Sequence, residues 1–158
     1  MNKEFKYKLK TVIEVCSIHH QRLGYALDFI KEIFPLNSES TLELSQEQIS
    51  HTDQLIYRFS QLQDTIGSKL FPLILQGLGE YDYELPFIDI LNKLEKLSVI
   101  ESTEQWLSLR ETRNLVTHEY PGNEKEIVDG LNELCQQSKY LSSTHDNLLV
   151  FISKRGWL

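Results

Sequence analysis

The sequence predicts an all-α fold, an antiparallel up-and-down bundle of about five helices forming one domain over residues 1–158. Three observations carry this. Apolar residues recur three and four apart, the spacing of a single helix face, in most of the chain. Few stretches show the strict apolar–polar alternation of half-buried strands. The periodic segments are separated by short polar or Pro/Gly connections, as consecutive neighbours in a bundle require.

The first helix is expected from about Lys3 to Phe34, with Phe5, Leu9, Val12, Ile13, Cys16, Leu23, Leu27, Ile30 and Phe34 on its buried stripe. Pro35 and the polar run after it end that helix. Ser45 followed by Gln48 forms a capping box for the second, with Leu44 and Ile49 placed as a hydrophobic staple. This helix is expected to break between Pro72 and Gly79. A short third helix runs from about Pro86 to Leu97. Ser102 with Gln105 opens the fourth, which ends by Tyr120 because a residue before proline is pushed out of the α region. Asn123 with Glu126 opens the fifth, reaching Phe151 or beyond, with Gly130 and the SSTHDN stretch as candidate bends. Its inward residues are Ile127, Leu131, Leu134, Leu141, Leu148 and Ile152.

Length and composition fit one folded domain with a real core, since 41% of the residues are apolar and 25% charged. The two cysteines, Cys16 and Cys135, lie far apart without metal-ligand spacing, so neither a disulfide framework nor a zinc site is suggested. Together with the lack of an apolar leader or a long apolar run, this points to the reducing cytoplasm and away from a membrane. The net charge of −7 argues against sequence-independent binding along a nucleic-acid backbone, but leaves room for a small local site. Lys3, Lys6, Lys8 and Lys10 make the first segment basic, either a solvated face or an electrostatic edge for an acidic partner or RNA.

Candidate chemistry is concentrated in Arg113 to Tyr120, RNLVTHEY, at the end of the fourth helix. On a helical wheel Arg113 falls at the apolar edge formed by Leu109 and Val116, near Trp106, so its guanidinium needs a partner. Arg110, Asn114 and Thr117 occupy the adjoining strip. His118 lies roughly 140° round from Arg113 at about 100° per residue, so the two border a shared cleft at best. His118 sits in the last turn, where unpaired carbonyls favour an imidazolium. An arginine fork suits phosphate oxygens, and a histidine exchanges protons near neutral pH. These residue types suffice for phosphodiester transfer by a ribose 2′-OH without a metal.

The string reads R-x4-H-x-Y with a polar residue directly after the arginine. It resembles the signature of the HEPN superfamily, in particular the HepT-type toxins encoded beside MNT-type nucleotidyltransferases. The likeness extends loosely over the bundle, including the YRF of Tyr57 to Phe59. The resemblance implies a metal-independent endoribonuclease toxin acting on tRNA or mRNA as a homodimer, with motif helices of two subunits meeting across the cleft. It implies Arg113 and His118 as catalytic residues, Asn114 and Arg110 as substrate-binding residues, and no metal or cofactor. Tyr120 matches the tyrosine that the partner nucleotidyltransferase antitoxin modifies with AMP. A different class, a non-catalytic substrate-binding or docking subunit of a nucleotidyltransferase, fits the same residues.

Arg58 is expected in a structural ion pair with Asp53 or Glu111, or as a residue orienting the motif from behind. Adjacent on a helix, His19 and His20 point to different faces, and His51 and His145 stand isolated without an assigned role. The tail from Lys154 to Leu158 is expected to fray or to dock Trp157 on a partner subunit.

Overall fold

The computed structural model describes residues 1–37, 43–117, 122 and 124–158. Among the described residues there is no strand, and the architecture is an all-α bundle of about five helices.

Helix α1 spans Lys3–Ile30, opened by Asn2, whose Oδ1 accepts the Phe5 N–H at 2.8 Å. The stretch that the periodicity assigns to its last turn is a 3₁₀ turn, Lys31–Ile33, followed by a cis Phe34–Pro35 bond. Beyond the proline, Leu36 is pinned to the far side of the bundle. Its N–H donates to Asn132 Oδ1 at 2.6 Å and its carbonyl accepts from Asn132 Nδ2 at 2.9 Å.

Helix α2, Gln46–Thr65, starts with the expected capping box. The Gln48 N–H donates to Ser45 Oγ at 3.1 Å and the Ser45 N–H donates to Gln48 Oε1 at 2.8 Å. The break expected between Pro72 and Gly79 falls at the glycine end of that stretch and not at Pro72. Instead the chain passes through a π-helical turn, Ile66–Leu70, and continues as α3, Phe71–Gly77. The physical reason is that Pro72 sits in the first turn of α3, next to the point where the regular hydrogen-bond ladder is already interrupted. The rod ends at Gly79, whose φ of +73° suits glycine, with the Glu80 N–H closing back on the Leu75 carbonyl at 2.8 Å.

Helix α4, Phe87–Lys96, buries Ile90, Leu91 and Leu94. Helix α5, Thr103–Thr117, begins where Ser102 Oγ accepts the Gln105 N–H at 3.1 Å, while Glu95 Oε1 accepts the Thr103 N–H. Helix α6, Glu124–Lys154, runs unbroken through both candidate bends. Asn123, read from sequence as its cap, lies outside the described residues.

Helix α1 lies against α2 and α6, α5 lies against α2 and α6, and α4 bridges α3 and α5. The core between them includes Leu9, Leu23, Leu55, Phe59, Ile74, Trp106, Leu134 and Leu148, all fully buried. Gly130 sets the approach of α6 to α5, because a Cβ there would stand 3.0 Å from both Leu115 Cδ2 and Val116 Cγ1. Gly130→Val is therefore expected to push the last turn of α5 away and cost about 1–3 kcal/mol, measured by urea unfolding.

The tail neither frays nor projects. Trp157 is only 7% exposed, meets Phe5 and Phe151 edge to face at 6.1 and 5.9 Å, and covers Gly77, where any Cβ would fall within 2.7–2.9 Å of its ring. Burial of this apolar surface within one chain replaces the partner docking expected from sequence.

Candidate functional site

Helix α5 places its polar residues by phase. Trp106, Leu109, Thr112 and Val116 face the core, which leaves Arg113 at the border of buried and solvent-facing sides, with its side chain 29% exposed. Its guanidinium Nη1 donates to Gln63 Oε1 at 3.3 Å and lies 3.6 Å from Asp64 Oδ1, both on α2. Gln63 is itself 2% exposed, so Arg113 satisfies a buried amide oxygen while Asp64 balances its charge at the surface.

Arg110 and Asn114 are exposed on the neighbouring strip, as the wheel requires. Arg110 lays its guanidinium 4.8 Å from the centre of the Phe87 ring on α4. The two arginines of α5 therefore lean on different helices. Thr117 Oγ1 donates to the Arg113 carbonyl at 2.8 Å, tying up an acceptor at the end of the described part of the motif. His118 and Tyr120, the other principal motif residues, lie outside the described residues.

Arg58 is paired with neither Asp53 nor Glu111. It faces α1, where its Nη1 lies 2.9 Å from His19 Nδ1, and it stacks over Tyr57 at 5.0 Å. The reason is its phase on α2, which turns it toward α1 while Gln63 and Asp64 serve α5. Burial, with the charges of Arg58 and Arg22, holds the His19 imidazole below its ordinary pKa, which keeps its Nδ1 an acceptor for the guanidinium.

His145, read from sequence as isolated, is the largest departure. It is 2% exposed and stacks on His20 of α1, ring centroids 4.1 Å apart and planes at 17°. Asp146 Oδ1 lies 3.0 Å from His145 Nδ1, and Ser142 Oγ lies 2.7 Å from His20 Nε2. Burial pushes the His145 imidazole below its ordinary pKa, partly opposed by the hydrogen bond to Asp146. Sequence spacing carries no sign of this cluster because α1 and α6 meet only through the tertiary fold. The one available signal is that His145 shares the buried phase of Leu141 and Leu148.

Two further features are not sites for this chemistry. Burial pushes the Cys16 thiol up to about 12, which removes it as a nucleophile. A wide depression of ≈ 760 Å³ lies between the loop after α4 and α6, lined among others by Glu95, Glu101, Lys139 and Tyr140, and none of Arg110, Arg113 or Asn114 borders it. No protein-family model, no curated protein and no solved structure matches the chain.

Proposed function

We propose that this chain is a metal-independent endoribonuclease, the toxin of a toxin–antitoxin pair, with Arg113 and His118 from two subunits lining one groove. The observation that carries the reading is the setting of Arg113. It is a half-buried cation, braced by Gln63 and Asp64, at the first position of the RNLVTHEY string.

In this reading His118 removes the proton of the ribose 2′-OH, the 2′ oxygen bonds to phosphorus, and the bond to the 5′ oxygen breaks, with a proton returned to that leaving oxygen. Arg113 stabilises the charge that develops on the non-bridging oxygens. Asn114 and Arg110, exposed beside it, contact the RNA backbone. Tyr120 is the position at which a partner nucleotidyltransferase adds AMP, whose negative charge then blocks the groove. The test is RNA cleavage by chelator-treated protein. Products ending in a 2′,3′-cyclic phosphate, lost in His118→Ala, are expected; no cleavage by the wild type, and no toxicity on expression, refutes the reading.

A second reading draws on Asp64. Because this carboxylate already pairs with Arg113 in a chain of net charge −7, the cation is partly neutralised before any phosphate arrives. That favours a non-catalytic subunit that docks or presents substrate to a nucleotidyltransferase. Harmless expression combined with co-purification of such an enzyme separates the two.

A further inference from the structure

We propose that His20, His145 and Asp146 bind a divalent transition-metal ion of the zinc class, clamping α1 to α6, independently of any RNA chemistry at α5. Three potential donors, His20 Nε2, His145 Nδ1 and Asp146 Oδ1, come from two helices that are far apart in sequence, and the ligand atoms of the three residues all lie within 4.8 Å of one another.

The carboxylate occupies the middle. Asp146 Oδ1 is 3.0 Å from His145 Nδ1 and 3.5 Å from His20 Nε2. In a tetrahedral site with bonds of about 2.0–2.2 Å, neighbouring donor atoms stand roughly 3.3–3.6 Å apart. Two edges of the donor triangle are therefore already near the spacing that a metal imposes. The third edge, between the imidazoles, closes when the rings tilt out of their parallel stack. His20 has the freedom to do so, its side chain being 27% exposed, whereas His145 is fixed by burial.

The chemistry of the set also fits. Two imidazoles and one carboxylate suit zinc, nickel or copper better than calcium or magnesium, which prefer all-oxygen cages. Asp146 is 61% exposed, so the ion has a path from solvent and a fourth position open to water. The hydrogen bond between His20 Nε2 and Ser142 Oγ, 2.7 Å, is given up when Nε2 turns to the ion. Coordination through Nδ1 fixes the His145 proton on Nε2, which is buried without a hydrogen-bond partner among the described residues, so the ion must offset that unsatisfied donor. A purely structural pair at this seam is equally well served by apolar side chains.

The test titrates the full chain, first stripped with chelator, with Zn²⁺ and separately with Co²⁺. Expected are one ion per chain, a visible Co²⁺ ligand-field band, and a melting temperature raised by about 5–10 °C at a metal concentration near 100 times Kd. Asp146→Asn and His20→Gln, both changes at the accessible rim, are expected to weaken binding by about tenfold or more while the metal-free melt stays close to wild type. His51→Ala, which alters a histidine on α2 away from the cluster, is expected to leave binding unchanged. No Co²⁺ band and no thermal shift, or binding that survives both rim substitutions, overturns the proposal and leaves a hydrogen-bonded histidine stack only. RNA cleavage in the presence of chelator is read separately and is unaffected by either outcome.

Discussion

On the proposed ribonuclease reading, Arg113→Ala is expected to lower RNA cleavage by about 10²–10³-fold, the usual loss when one group stabilising transition-state charge is removed. The fold should lose about 1–3 kcal/mol, because the buried Gln63 Oε1 is left without its donor. The pair with Asp64 is solvent-screened, with side chains 29% and 62% exposed, so its contribution to stability is below about 1 kcal/mol. Arg113→Lys should recover little, because an ammonium cannot present the planar fork to a phosphate and to Gln63 at once. Asp64→Asn moves the other way, releasing the guanidinium and tightening RNA binding. Initial cleavage rates on one RNA, set beside urea unfolding of each variant, check all three. If Arg113→Ala cleaves as well as wild type, Arg113 is only a strut between α5 and α2.

The largest stability effect is expected at Trp106. It is fully buried, its ring lies 4.7 Å from that of Phe71 at 59°, and its indole edge packs beside Gly67 of the π turn. Trp106→Ala removes this contact and leaves a cavity that rigid neighbouring helices cannot close. The cost is about 3–5 kcal/mol, which for a chain of this size lowers the melting temperature by roughly 10 °C or more. Trp106→Phe should cost less, for a specific reason: the indole Nε1 is buried without a hydrogen-bond partner among the described residues, so losing the N–H removes an unsatisfied donor. A melt of Trp106→Ala within a few degrees of wild type contradicts this account of the core.

Local chemistry made much of the fold legible in the sequence. The Ser45 capping box and the apolar phases of α1, α5 and α6 each depend on residues within a turn or two of one another, and each is present as read. Arg113 at the core edge was legible for the same reason. Its partner was not, because Gln63 lies 50 residues away and a glutamine on an apolar face gives no hint of which cation will reach it. The histidine stack is a stronger case, since His20 and Ser142 are separated by 122 residues and only the packing of α1 on α6 brings them together. The tail was misread because a terminal tryptophan beside two cations looks solvent-bound until Phe5, Phe151 and a side-chain-free Gly77 provide its slot.

The π turn at Ile66–Leu70 lets one rod serve two neighbours. Before it Leu55, Phe59 and Leu62 face the core, within it Ile66 and Leu70 do, and after it Phe71 joins Ile74 and Leu75, widening the buried face. On its solvent side Ser68 and Lys69 are exposed. The turn thus joins two packing surfaces of different phase, with Gln63 and Asp64 held toward Arg113 on one side of it and Gly77, the floor of the Trp157 slot, on the other.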